Sequence, residues 1–240
     1  MPTLPKWMND AVEGLLKSQF RQVVATQIED FSSSVRKVRL LGDFRGVISE
    51  PGYAVGFRVN ERAFRNYTPF LFDAEQGVCD ILFHLHGNGP GSEFAGQLKE
   101  GDELRIIIPR GRTVYRKHLS HHVMIGDETA LGLALSLRNE ASAKQHSSIT
   151  IFEVDDSSVM AELQLYGHVL QKSGLNKAGR IRQRILQQQE DTGVSLADTG
   201  FYLAGNADTM RIARSELKQL NVPSRNIFSQ AYWAEGKTGL

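Results

Sequence analysis

The apolar residues of this chain change their period once, near residue 120, and that change limits the fold more than any motif does. Ahead of it, short runs rich in Val, Ile, Phe and Tyr alternate with polar residues over 21–28, 35–41, 54–59, 67–72, 78–85 and 103–108. Turn signals such as Gly42-Asp43, Pro51-Gly52 and Gly101-Asp102 separate them. Six short strands so punctuated predict a small antiparallel β-barrel. One helix is expected inside it, over 90–98, between the fifth and sixth strands. Beyond residue 120, strands at 122–125, 148–154, 201–204 and 226–232 interleave with helical periods at 128–138, 157–165, 179–189 and 207–220. That grammar predicts an α/β doubly wound parallel sheet. The expected organisation is two domains, 1–115 and 116–240, joined by a polar stretch at 110–120. A short amphipathic helix from Trp7 to Leu16 is expected to open the chain, and residues 171–184 receive no assignment.

Composition removes several function classes. The 28 Lys and Arg against 27 Asp and Glu leave a net charge of +1, too little surplus for a surface that displaces counterions from nucleic acid. Cys79 is the single cysteine, so neither an internal disulfide nor a Cys-ligated cluster can form, and a reducing compartment fits. Met1 to Asp10 lack a basic start followed by an apolar run, and no apolar stretch reaches the ~18–20 residues of a membrane span. A cytoplasmic protein is expected. His84 and His86 lie two apart without a neighbouring third ligand, so no metal site is assigned. No Gly-x-Ser-x-Gly elbow offers a hydrolytic nucleophile.

Two stretches carry chemistry. In Arg65-Asn66-Tyr67-Thr68-Pro69, an extended backbone puts Arg65 and Tyr67 on one side and Thr68 on the other. A guanidinium fork, an aromatic face and a small hydroxyl are what a flavin nucleotide requires; an exposed Arg beside a half-buried strand Tyr is the plainer alternative. In His86-Gly87-Asn88-Gly89-Pro90-Gly91-Ser92, a glycine-rich turn feeds a helix, whose N-terminal N–H groups and dipole suit an anion. Ser92 is placed to cap that helix. A plain strand-to-helix connection is the alternative here.

With Gly126-Asp127-Glu128-Thr129-Ala130, Ala204-Gly205 and Tyr232-Trp233, these motifs resemble, in order and spacing along essentially the whole chain, the siderophore-interacting protein family. That family is a branch of the ferredoxin–NADP reductase superfamily. The resemblance implies bound FAD and reduction of ferric siderophores to release Fe(II), with electrons from NADH, NADPH or a ferredoxin. It implies flavin contacts at Arg65, Tyr67, Thr68, His86, Gly87, Gly89, Pro90, Gly91 and Ser92. Asp127, Thr129, Ala130 and Gly205 would serve the nucleotide side, and no side chain acts as a covalent catalyst. Two departures are visible: Gly126 to Ala130 is not a glycine-rich fingerprint, and Gly132 stands where relatives often have proline. An acidic pair at a helix start repels a pyrophosphate; helix capping is the alternative role for Asp127 and Glu128. Asp155 and Asp156, after the second strand of that half, lean toward NADH by accepting from a ribose hydroxyl, or else cap the next helix. Arg112, Arg116, Lys117 and Lys237 could receive an anionic ferric chelate in a basic cleft, or form a solvated surface. The protein is expected to be a monomer. A ferredoxin- or flavodoxin-type reductase without a siderophore pocket, or a flavin-free siderophore carrier, are the competing readings.

Overall fold

The computed structural model describes residues 17–87, 89–172 and 176–237, so the expected helix from Trp7 to Leu16 lies outside the described residues. The chain divides into two compact units at Thr113/Val114. The first holds seven antiparallel strands: β1 (Phe20–Asp30), β2 (Val35–Gly42), β3 (Tyr53–Asn60), β4 (Ala63–Tyr67), β5 (Pro69–Asp73), β6 (Val78–His84) and β7 (Glu103–Gly111). A helix, α1 (Pro90–Gln97), lies between β6 and β7, as expected. The strand order is β4-β3-β7-β1-β2-β6-β5. Because β4 and β5 occupy opposite edges yet are joined through Thr68 alone, the sheet must curl until its edges meet there. Val38, Leu40, Val55, Phe57, Ile81, Phe83 and Ile106 face inward and form the core. A bulge between Ala25 and Gln27 in β1 resets the alternation, so that Val23, Ala25 and then Ile28 all meet that core.

The strand expected over 67–72 is therefore two strands. Tyr67 ends β4, which pairs with β3 from Asn60↔Ala63 to Val55↔Tyr67. The turn between them, Glu61-Arg62, carries no glycine or proline, which is why the sequence hides it. Pro69 stands first in β5, where a missing N–H costs least.

The second unit is a five-stranded parallel sheet of order β10-β9-β8-β11-β12. Its elements are β8 (His121–Asp127), a 3-10 turn (Glu128–Ala130), α2 (Leu131–Ala143), β9 (Ser147–Glu153), α3 (Ser158–Glu162), β10 (Gly167–Leu170), α4 (Lys177–Thr192), β11 (Thr199–Asn206), α5 (Ala207–Gln219) and β12 (Ile227–Trp233). Val123, Ile125, Ile151, Phe201 and Leu203 pack on Ile181 and Ile185 of α4 and on Met210, Ala213 and Leu217 of α5. Four-residue β10 was not expected; it is too short for an alternation to register, and Gly167 enters it at φ 149°. The helix expected over 157–165 stops at Glu162, and Gln164 turns left-handed at φ 53°. The stretch at 110–120 also differs from a solvated linker, since Val114, Tyr115 and Leu119 are buried.

Candidate functional site

In the first unit the two sequence motifs come together. A β-carbon placed on Gly91 would overlap the Tyr67 hydroxyl and lie 3.5 Å from Arg65 Cγ, so the first turn of α1 rests directly on the outer end of β4. Glycine at 91 is what permits that approach. Gly87 and Gly89 have φ of 78° and 97°, a left-handed region that side chains rarely enter. Around Gly87 nothing lies within 4 Å of where a β-carbon would sit, so that part of the turn faces open space. Gly89 is the N-cap residue and has no side chain to satisfy the first N–H groups of α1, while Pro90 occupies the first turn without an N–H of its own. Ser92 is not the cap. Its Oγ reaches back to accept the Gly87 N–H at 3.1 Å and so braces the turn. Asn88 lies outside the described residues.

Tyr67 is anchored by its ring, which packs 4.5 Å from Phe83 and 5.6 Å edge-on from Phe57. Burial pushes its phenol up to about 12, against an opposing pull from Arg65, so it remains a neutral O–H. Arg65 is half-buried and donates through Nη1 to the Phe64 carbonyl at 2.8 Å. Thr68 is half-buried where β4 gives way to β5, and His86 is exposed with its ring 5.6 Å from that of His84. Helix N–H groups, a guanidinium and a neutral phenol on one rim form a donor set that suits a dinucleotide's pyrophosphate and ring.

Arg36 is a supporting residue that the sequence reading missed. From β2 it donates Nη1 to the carbonyls of Ala95 and Gly96 at 3.1 Å each, in the last turn of α1. Asp30 holds its other edge at 2.6 and 2.9 Å. A cation at those carbonyls complements the helix dipole and fixes the end of α1 opposite the turn. Nothing in the sequence distinguishes Arg36 from any strand arginine, because the carbonyls it holds lie about 60 residues away.

In the second unit, the order β10-β9-β8-β11-β12 places the switch point between β8 and β11, and ligands of doubly wound sheets bind beyond the strand ends there. Asp127 occupies that position. Its buried carboxylate accepts from Thr129 N at 2.9 Å, from Thr129 Oγ1, from Asn206 N at 2.7 Å and from Trp233 Nε1 at 2.9 Å. The same carboxylate lies 2.6 Å from where a β-carbon on Gly205 would be, and Gly205 has φ 111°. Asp127 thus ties β8, β11 and β12 together, and its capping of the 3-10 turn is part of that tie. Ala130 is fully buried, backbone and side chain alike.

Further along the same edge, Glu128 accepts from Asp155 N at 2.7 Å and pairs with Lys172 Nζ at 2.8 Å; Lys172 also meets Asp155 at 2.7 Å. Burial draws the Lys172 ammonium down, but the bonds to Asp155 and Glu128 outweigh it and leave its pKa above the ordinary value. Asp156 accepts from Ser158 N and Oγ from the position before the N-cap, Ser157, which itself makes no side-chain cap. Glu153, at the end of β9, is closed by Lys177 at 3.0 Å and Thr209 Oγ1 at 2.7 Å. Of the candidate substrate cations, Arg112 belongs to the first unit and Arg116, Lys117 and Lys237 to the second. Arg112, Lys117 and Lys237 are exposed, and the Arg116 backbone N–H donates to Tyr202 Oη at 3.0 Å.

Both units resemble known proteins. Residues 53–113 match the family model for a siderophore-interacting FAD-binding domain, and residues 119–236 the model for a siderophore-interacting protein. Among solved structures, a siderophore utilization protein from T. fusca superposes with TM-score 0.72 at 26% identity, covering 92% of this chain and 95% of that one. The siderophore-interacting protein SipS from Aeromonas hydrophila gives TM-score 0.74 at 21% identity, covering 92% and 93%. NADH-cytochrome b5 reductase 1 from Aspergillus terreus is 35% identical over 68 residues, 28% of this chain and 23% of that protein, so the match spans about a quarter of that curated relative. No helix among the described residues is long and apolar enough to cross a membrane.

Proposed function

The chain belongs to the siderophore-interacting protein family, and on that premise we propose that it is an FAD-dependent reductase that converts Fe(III) held by a siderophore to Fe(II). Electrons come from a pyridine nucleotide or a ferredoxin. The observation that carries this reading is the meeting of Arg65, Tyr67 and the Gly91 backbone on one rim, two motifs about 25 residues apart in sequence. Bound FAD supplies the redox chemistry, taking two electrons together and giving them up singly.

The protein's part is placement. Arg65 and the first N–H groups of α1 neutralise the pyrophosphate, and Ser92 keeps the turn open for it. The Tyr67 ring, braced by Phe83 and Phe57, offers a fixed aromatic wall, and Thr68 supplies a hydroxyl at the seam. His86, Gly87, Gly89 and Pro90 shape the turn. We assign the nucleotide side to Asp127, Thr129, Ala130 and Gly205, of which Thr129 is half-buried and the other three are buried and set its shape. Arg112 in the first unit and Arg116, Lys117 and Lys237 in the second each carry a charge of the sign that draws an anionic chelate. Hard oxygen chelators hold Fe(II) far less tightly than Fe(III), so one electron per iron releases the metal without acid–base catalysis.

Anaerobic titration of the FAD-loaded protein with NADH, NADPH and reduced ferredoxin, followed by a ferric chelate, tests the reading. Bleaching of the flavin bands and their return on adding the chelate is expected. Protein that retains no FAD after incubation would sink the proposal. Arg65→Ala is expected to lose FAD at least tenfold more readily than Arg116→Ala, measured by flavin fluorescence on dilution.

A further inference from the structure

The Lys172 contacts bear on which pyridine nucleotide is used, an inference that rests on the reductase reading. Asp155 follows β9, the strand beside β8, where an acidic side chain in doubly wound sheets accepts hydrogen bonds from a ribose 2′-hydroxyl. In this chain that acid does not stand alone. Lys172, just past β10, places its ammonium 2.7 Å from Asp155 and 2.8 Å from Glu128, so a potential phosphate-binding cation lies beside a ribose-binding acid. The two carboxylates differ in role. Glu128 is 4% exposed and fixes both the Lys172 ammonium and the Asp155 backbone N–H, whereas Asp155 is 67% exposed and faces solvent.

We propose that Asp155 masks Lys172 and thereby makes the protein select NADH over NADPH, with Glu128 as the positioning residue that holds the mask in place. The three groups sum to one negative charge. An incoming 2′-phosphate would meet the repulsion of the exposed carboxylate, and would have to compete with it for the ammonium. A free 2′-hydroxyl would instead donate to Asp155 and leave both Lys172 bonds intact. Removing the Asp155 charge converts the same place into a phosphate site, because Lys172 stays oriented by Glu128 with its other N–H donors available.

The test is calorimetric titration of wild type, Asp155→Asn, and Asp155→Asn with Lys172→Ala, using ADP-ribose and 2′-phospho-ADP-ribose, neither of which can donate a hydride. Wild type is expected to bind ADP-ribose at least tenfold tighter. Asp155→Asn is expected to gain at least tenfold for the phosphorylated ligand, and the added Lys172→Ala to erase that gain. Steady-state kcat/KM with NADH and NADPH should follow the same ranking. Wild-type preference for the phosphorylated ligand, no binding of either ligand, or an unchanged ratio in Asp155→Asn overturns the proposal. If the flavin is reduced by ferredoxin while neither ligand binds, the selectivity falls and the reductase reading stands. If the protein retains no FAD, the reductase reading falls, while calorimetry still decides the selectivity.

Discussion

His122, only 2% exposed, is a titratable residue inside the second unit. Its Nδ1 meets Tyr202 Oη at 2.9 Å and its Nε2 meets His146 Nδ1 at 3.4 Å, while Tyr115 Oη reaches His146 at 2.8 Å. Burial, and then the neighbouring His146, push the His122 pKa down from 6.5 to about 4. Between those values the unfolded chain binds a proton that the folded chain refuses, so stability is full above pH 6.5 and is lost as the pH falls toward 4. At ~1.4 kcal/mol per pH unit, the loss is about 3 kcal/mol. Denaturant midpoints taken from pH 7 to pH 4 should show that decline, and His122→Gln should flatten it. At Gly91 the argument is steric. Gly91→Ala would drive a methyl into the Tyr67 hydroxyl, with an expected cost of about 1–3 kcal/mol in the turn. Flavin release should quicken at least tenfold, read by fluorescence.

The elements were legible to different degrees, for reasons that lie in their partners. Helix α1, the alternating strands and the parallel order follow from local periods, and the structure has them. Strand β4 was hidden because its turn lacks punctuation, and β10 because four residues carry no period. The turn of the candidate site could be read from its glycines, but its support could not. Arg36 acts across the fold, and Asp127 collects donors from residues 206 and 233 that no spacing rule would link. Helix α1 is held at its C-terminal end by Arg36, and loosening that end should be felt at the turn. Arg36→Met, which keeps the apolar stem, is expected to weaken FAD binding about three- to tenfold, with a loss near 1 kcal/mol, measured by equilibrium titration of the apoprotein.

At the scale of the whole molecule, each unit has its own hydrophobic cluster, one around Phe57 and Ile81 and the other around Ile125 and Leu203. Cys79 lies in the first, with no exposed surface, and burial together with Asp80 raises its thiol well above the ordinary range. A thiol reagent is therefore expected to leave Cys79 untouched until the first unit opens. Labelling rates across a denaturant series should report that unit alone, while the acid-sensitive transition set by His122 belongs to the second. The two interiors also share no residue, so a substitution packed inside one cluster touches no member of the other. Each half can therefore be refined on its own terms.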